Sequence, residues 1–248
     1  MITHLEHVMG TVVSITADPG GRSTAVARGA IEATCEVLHE ADTTFSTFKP
    51  DSPLSRHRRG DLRSQEMPDA LSEVLQRCAQ AVRLTDGAFD PWAMPGGIDP
   101  TGLVKGWAAQ RALRPLQEVG LAGAMVNAGG DIACFGDTPW RIGVRHPSEL
   151  EQLVCIAGVN AAIATSGGYE RPGEILDPRD RRPVDRLTQA TVTGPDLGLA
   201  DAYATALVVR GEMGLVMLHD TDYEAVVVTP DGRMLATPGF PVAPSVAA

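Results

Sequence analysis

Lysine is almost missing from this chain. Lys49 and Lys105 are the only two, and arginine supplies the rest of the 21 basic residues. A lysine placed between glycines, as in GLVKG around Lys105, therefore calls for a local reason. Cysteine is scarce too: Cys35, Cys78, Cys134 and Cys155 are widely spaced, with no CxxC and no Cys/His pair at zinc spacing. That excludes a disulfide framework or zinc finger and predicts reduced, buried thiols, consistent with the cytosol. There is no HExxH, no GxSxG, no GxxxxGK[ST], and no GxGxxG between a strand and a helix. Zincin, α/β-hydrolase, P-loop and Rossmann readings all fail on those grounds. The six histidines are scattered, and nothing points to a Ser/His/Asp triad. No apolar run is long enough for export or anchoring, and His4, Glu6 and His7 interrupt the N-terminal segment. A cytoplasmic location without stable membrane insertion is the expectation. The net charge of −10 carries no basic block and argues against nucleic acid as a partner, while leaving room for a phosphate-bearing ligand in a locally positive site.

The 248 residues, 44% of them hydrophobic, can build a substantial core. No repeat or linker divides them, so one domain over 1–248 is expected, with a possible two-lobed organisation of about 1–120 and 121–240. Val8–Ala17 reads as a strand. Ser23–Asp42 reads as a helix capped by Ser23 or Thr24. Ser52 caps a short turn beginning at Pro53, and Met67–Leu84 is amphipathic, with Leu71, Val74, Leu75, Cys78 and Val82 on one face. Helices are expected over Leu103–Leu113 and Leu199–Val209, and shorter helical turns over Pro115–Gly120 and Glu212–Leu218. From Ala124 come short strands spaced like a meander, followed by strands over Gln189–Thr193 and Ala225–Val228. Arg179–Arg186 reads as a solvated loop and the segment after Thr237 as a poorly ordered tail. Phe48 is either a core anchor, the commoner fate of a phenylalanine, or a platform for a flat ring.

Three places have the chemistry of a site. Thr85–Trp107 is rich in glycine and proline and holds Asp86, Asp90, Asp99 and Lys105. A Gly- and Asp-rich loop running into a helix suits an anion or its metal, although a long surface connection has the same composition. NAGGD (Asn127–Asp131) and TSGGY (Thr165–Tyr169) put glycines at strand ends, where backbone N–H groups can face a ligand. Asp201 and Thr205 lie one helical turn apart, which places a carboxylate and a hydroxyl on one face. They suit a hard cation such as Mg²⁺, or are simply a capping aspartate and a threonine bonded back to a carbonyl.

The strings MGT, FSTF…DSPLSR, DGAFDP, DPTGLVKG, VNAGGDI, TSGGYER, ILDP and ADAYATAL occur in this order over nearly the whole chain. Together they resemble the ApbE family, the FAD:protein FMN transferases. The resemblance implies an α+β fold, T-fold-like, with antiparallel-rich sheets flanked by helices and the ligand in a central cleft. It implies FAD as substrate, Mg²⁺, and an acceptor flavoprotein whose Thr or Ser hydroxyl receives FMN as AMP leaves. Some members instead hydrolyse FAD to FMN and AMP, and a non-catalytic FAD-binding protein is a third reading.

Carried over motif by motif, the resemblance makes Asp201, Thr205 and the Gly102 carbonyl metal ligands. Met9, Phe48, Ala88, Phe89, Asp90, Asp99, Lys105 and the backbone near Ile175 line the FAD site. Asn127, Gly129, Gly130, Thr165, Ser166 and Gly167 add further contacts. The implied catalytic groups are Asp201, Lys105 and Glu174. Glu174 marks a departure, because the family commonly reads HIIDP where this chain has Glu174-Ile175-Leu176-Asp177-Pro178. A carboxylate can accept a proton from a hydroxyl, yet it adds negative charge near a pyrophosphate.

Overall fold

The computed structural model describes residues 1–149, 151–168 and 173–243. Two tight hairpins set its frame. Strands β1 (Ile2–Val8) and β2 (Thr11–Asp18) are joined by Met9 and Gly10, both in the left-handed region at φ +54° and +69°. Strands β3 (Gly123–Ala128) and β4 (Asp131–Gly136) are joined by Gly129 and Gly130 at φ +64° and +102°. Two-residue turns of this hand match the twist of the strands they join. Because β2 pairs with β3, Val13 opposite Ala128, the two turns lie side by side at one sheet end. A Cβ at Gly129 would meet Thr11 Oγ1 at 2.9 Å, so glycine is required there. The strand expected to start at Val8 is in fact two strands, since the Met9–Gly10 turn interrupts it.

The further strands are β5 (Trp140–Arg145), β6 (Leu153–Val159), β7 (Ala162–Ser166), β8 (Gln189–Gly194), β9 (Glu224–Val228) and β10 (Met234–Ala236). Among the described residues one antiparallel sheet runs β1-β2-β3-β4-β7-β8-β9-β10, and β5 and β6 form a separate pair. A simple meander is therefore corrected. β7 takes the open edge of β4, Ile132 opposite Ile163, and the β5–β6 hairpin folds over one sheet face. There Val144, Ala157 and Val159 pack with Ile132, Ile163, Val226 and Phe240. Burying that apolar face is the return for leaving the main sheet. The segment after Thr237 is tied down as well, against expectation. Phe240 is buried, and Gly158 and Ala243 donate backbone hydrogen bonds to Pro241 and Ile156. Residues 244–248 of that tail lie outside the described residues.

Helices cover the opposite face. They are α1 (Thr24–Phe45), α2 (Pro53–Arg58), α3 (Asp69–Leu84), α4 (Thr101–Arg111), α5 (Arg114–Glu118) and α6 (Leu197–Arg210). Ser23 and Ser52 cap α1 and α2 through side-chain acceptors, as their positions predict. Helix α6 is apolar nearly all round and buried from Leu197 to Val209 except at Thr205, the pattern of a central helix. It lies close to α4 because Gly106 has no side chain: a Cβ there would stand 2.7 Å from the Leu197 carbonyl oxygen. This packing brings the start of α4 and the middle of α6 to the sheet end that carries the two glycine turns. No helix is long and apolar enough to cross a membrane among the described residues.

Candidate active site

A cleft of about 1190 Å³ opens at that sheet end. Every site residue expected from the sequence lines it: Met9, Phe48, Ala88, Phe89, Asp90, Asp99, Gly102, Lys105, Asn127, Gly129, Gly130, Thr165, Ser166, Gly167, Glu174, Ile175, Asp201 and Thr205. The end of TSGGYER, Tyr169 to Arg171, lies outside the described residues, as does Pro172.

Asp201 sits one turn inside α6. The cap of that helix is Asp196, whose Oδ1 accepts from Leu199 N at 2.9 Å, so the capping reading of Asp201 fails. Asp201 is only 4% exposed, and among the described residues its Oδ2 has no hydrogen-bond partner. Burying a carboxylate oxygen without a partner is costly, and the Asp201 pKa is pushed well above the ordinary aspartate value. Burial is the main cause, the charges of Asp131 and Glu174 add to it, and Lys105 opposes it. Thr205 stands one turn on, its Oγ1 3.1 Å from Ser166 Oγ. A Cβ on Gly102 would lie 3.9 Å from the same hydroxyl, so the start of α4 closes the third side. These are hard oxygen donors around an unpartnered carboxylate, and they fit a divalent cation of the Mg²⁺ type.

Lys105 reaches across from α4 to Asp131 on β4, Nζ to Oδ2 at 2.6 Å. Burial alone would discharge the lysine. The carboxylates of Asp131, Asp201 and Glu174 outweigh it and hold the ammonium above the ordinary lysine value. The other Asp131 oxygen accepts from Thr165 N at 3.1 Å, which links the NAGGD turn to the TSGG strand end. Asp90 and Asp99 also organise backbone: Asp90 accepts from Trp92 N, and Asp99 from both Thr101 N and Thr101 Oγ1. Asn127 Oδ1 accepts from Gly130 N at 2.8 Å, fixing the glycine turn. Ile175 gives its carbonyl to Val184 N. Phe48 is 95% exposed, so it is no core anchor; it stands at the cleft as an uncovered ring. Glu174 is exposed on the cleft wall.

Three residues at or beside the cleft were not singled out from sequence. Asp131 lay inside the NAGGD string, and its role as partner of Lys105 needed the α4–β4 contact. Gln189 opened a strand by pattern, yet it is buried in the cleft with Oε1 unpartnered among the described residues. Arg145, from β5, places a cation on the wall.

A model of the ApbE family matches residues 9–96 and 94–227. The chain belongs to the ApbE family. A relative from Vibrio cholerae serotype O1, named FAD:protein FMN transferase, is 28% identical over 265 residues, covering 79% of this chain and 78% of its own. Relatives of the same name from Rhodobacter capsulatus and Escherichia coli K12 are 34% and 30% identical. This ApbE-family chain spans only 30% and 44% of their lengths. The solved structure titled Flavin Transferase ApbE from Vibrio cholerae superposes with a TM-score of 0.80 at 24% identity, covering 96% of this chain and 97% of that one. The ApbE protein of Thermotoga maritima gives 0.82 at 21% identity over 96% and 97%. Both carry the same fold: antiparallel sheet flanked by helices, as expected for an ApbE-family member.

Proposed function

We propose that this protein is a Mg²⁺-dependent FAD:protein FMN transferase, joining FMN from FAD to a Thr or Ser hydroxyl of an acceptor flavoprotein and releasing AMP. The observation that carries the reading is the meeting, in one cleft, of the Asp201 carboxylate, whose Oδ2 has no partner among the described residues, the Thr205 hydroxyl and the charged Lys105. The names of the relatives support the same chemistry.

Asp201, Thr205 and the backbone at Gly102 would hold the ion, which neutralises charge on the pyrophosphate oxygens as the P–O bond breaks. Lys105 adds a fixed positive charge, kept in place and kept protonated by Asp131. The glycine turns let backbone N–H groups approach the diphosphate. Phe48 offers its face to the flavin ring. The acceptor oxygen attacks the FMN-side phosphorus in line with the bridging oxygen, which leaves with AMP. The hydroxyl proton passes to a base, and Glu174 on the cleft wall is the group assigned that role.

A second reading of the same site is hydrolysis of FAD with water as acceptor. Incubation with FAD, Mg²⁺ and candidate flavoproteins, followed by mass spectrometry, separates the two. Transfer leaves FMN on an acceptor Thr or Ser. Free FMN and AMP in equal amounts, with no acceptor adduct, would replace transfer by hydrolysis.

A further inference from the structure

Where helix α1 faces edge strand β1, the metal-ligating side chains of His4, Glu6 and Cys35 converge, with His39 beside them. His4 and Glu6 are two apart on the strand and share a face, while Cys35 and His39 are one turn apart on the helix. The His4 Nε2 lies 3.1 Å from one Glu6 carboxylate oxygen, and the His39 Nε2 lies 3.0 Å from the other. The ligand atoms of His4, Glu6 and Cys35 all fall within 4.8 Å of one another. The imidazoles are about half exposed and Glu6 is less so, which leaves an entry path from solvent.

We propose that His4, Glu6 and Cys35 form a zinc site that clips edge strand β1 to helix α1, with His39 orienting the Glu6 carboxylate through its other oxygen. An imidazole nitrogen, a thiolate and a carboxylate are a borderline-soft donor set that suits Zn²⁺ and not Mg²⁺, with water in the fourth position. Zinc–ligand bonds of about 2.0–2.3 Å put tetrahedral ligand atoms roughly 3.3–3.8 Å apart. The His4–Glu6 separation of 3.1 Å needs to open by only a few tenths of an ångström, within the reach of rotamer adjustment. On binding, the Cys35 thiol gives its proton to solvent and the ion takes its place beside Glu6. One thiolate and one carboxylate balance the charge of Zn²⁺, and the neutral His4 imidazole and a water complete the set. Motif spacing does not reveal this group, because its halves come from a strand and a helix about thirty residues apart. The ion would anchor a strand that otherwise has a neighbour on one side only. None of the four residues lines the cleft, so the inference stands apart from the proposed reaction.

The test uses the full chain without an affinity tag, stripped with chelator and then saturated with Mg²⁺ to occupy hard-oxygen sites. Co²⁺ is titrated first and displaced by Zn²⁺. One equivalent of Co²⁺ should give thiolate-to-cobalt charge transfer in the near ultraviolet with tetrahedral visible bands, and Zn²⁺ should raise the melting temperature. Cys35→Ser should lose the sulfur band and the thermal shift. His39→Ala, at an exposed position, should weaken Zn²⁺ by more than about tenfold, since even groups that only orient ligands are worth that much. FAD binding should not change in either variant. An octahedral cobalt spectrum without the sulfur band, or equal Zn²⁺ affinity in the wild type and His39→Ala, would overturn the site.

Discussion

Lys105 and Asp131 join the helical layer to the sheet at the cleft, the ammonium 2.6 Å from a carboxylate whose side chain is 1% exposed. The pair fixes a positive charge where a diphosphate would lie and gives the buried Asp131 carboxylate a charged partner. Lys105→Met should therefore lower stability by roughly 1–3 kcal/mol, the cost of removing a charged hydrogen-bond donor from a buried carboxylate, and should also weaken FAD binding. Adding Asp131→Asn should restore most of the stability and none of the binding. Urea unfolding and FAD titration on the same three proteins check both halves.

Phe48 behaves in the opposite way. An aromatic ring 95% exposed contributes little to the core, so Phe48→Ala should change stability by no more than about 0.5 kcal/mol. Loss of a ring-stacking partner should weaken flavin binding by about 0.5–1.5 kcal/mol, and Phe48→Trp should keep it. Equal FAD affinity in the wild type and Phe48→Ala would remove the ring from the site.

The sequence carried the local elements well, because local rules decide them. Ser23 and Ser52 are caps by type and position, and Leu71, Val74 and Cys78 face the core at helical spacing. Strand β1 was hidden because His4, Glu6 and His7 break its apolar pattern, and the turn after it because Met9 takes a left-handed conformation usually left to glycine or asparagine. The departure of the β5–β6 hairpin depends on which sheet face needs cover, which no window of sequence states. The site motifs were legible as an ordered set, but their meeting in one cleft, and the parts taken by Asp131, Gln189 and Arg145, rest on contacts between residues far apart in the chain.

Burial pushes the Cys78 and Cys134 thiols up to about 12. A thiol raised in the folded state favours folding fully below its unfolded value, about 8.5, and that contribution is lost as pH rises towards 12. Stability should thus fall between about pH 9 and 11, and Cys78→Ala should flatten part of the slope. Unfolding midpoints in urea at pH 7, 9 and 10 would show it, and identical slopes for wild type and variant would contradict it. Alkylation of both thiols should be slow at pH 8 until the chain is unfolded.

Glu174 is assigned the proton, not the substrate. Glu174→Gln should cut the rate of AMP release by about 10²–10⁴ with FAD affinity held or slightly improved, as one negative charge leaves the cleft. Rate and affinity measured together decide it. A loss of affinity with an unchanged rate would make Glu174 a binding group.

The most direct test is AMP released from FAD in the presence of acceptor, compared between wild type with Mg²⁺, wild type with chelator, and Asp201→Asn with Mg²⁺. The account predicts AMP in the first arm alone, with a folded Asp201→Asn at least as stable as the metal-free wild type because a buried carboxylate without a partner has been removed. AMP release from Asp201→Asn or in chelator at the wild-type rate would contradict it.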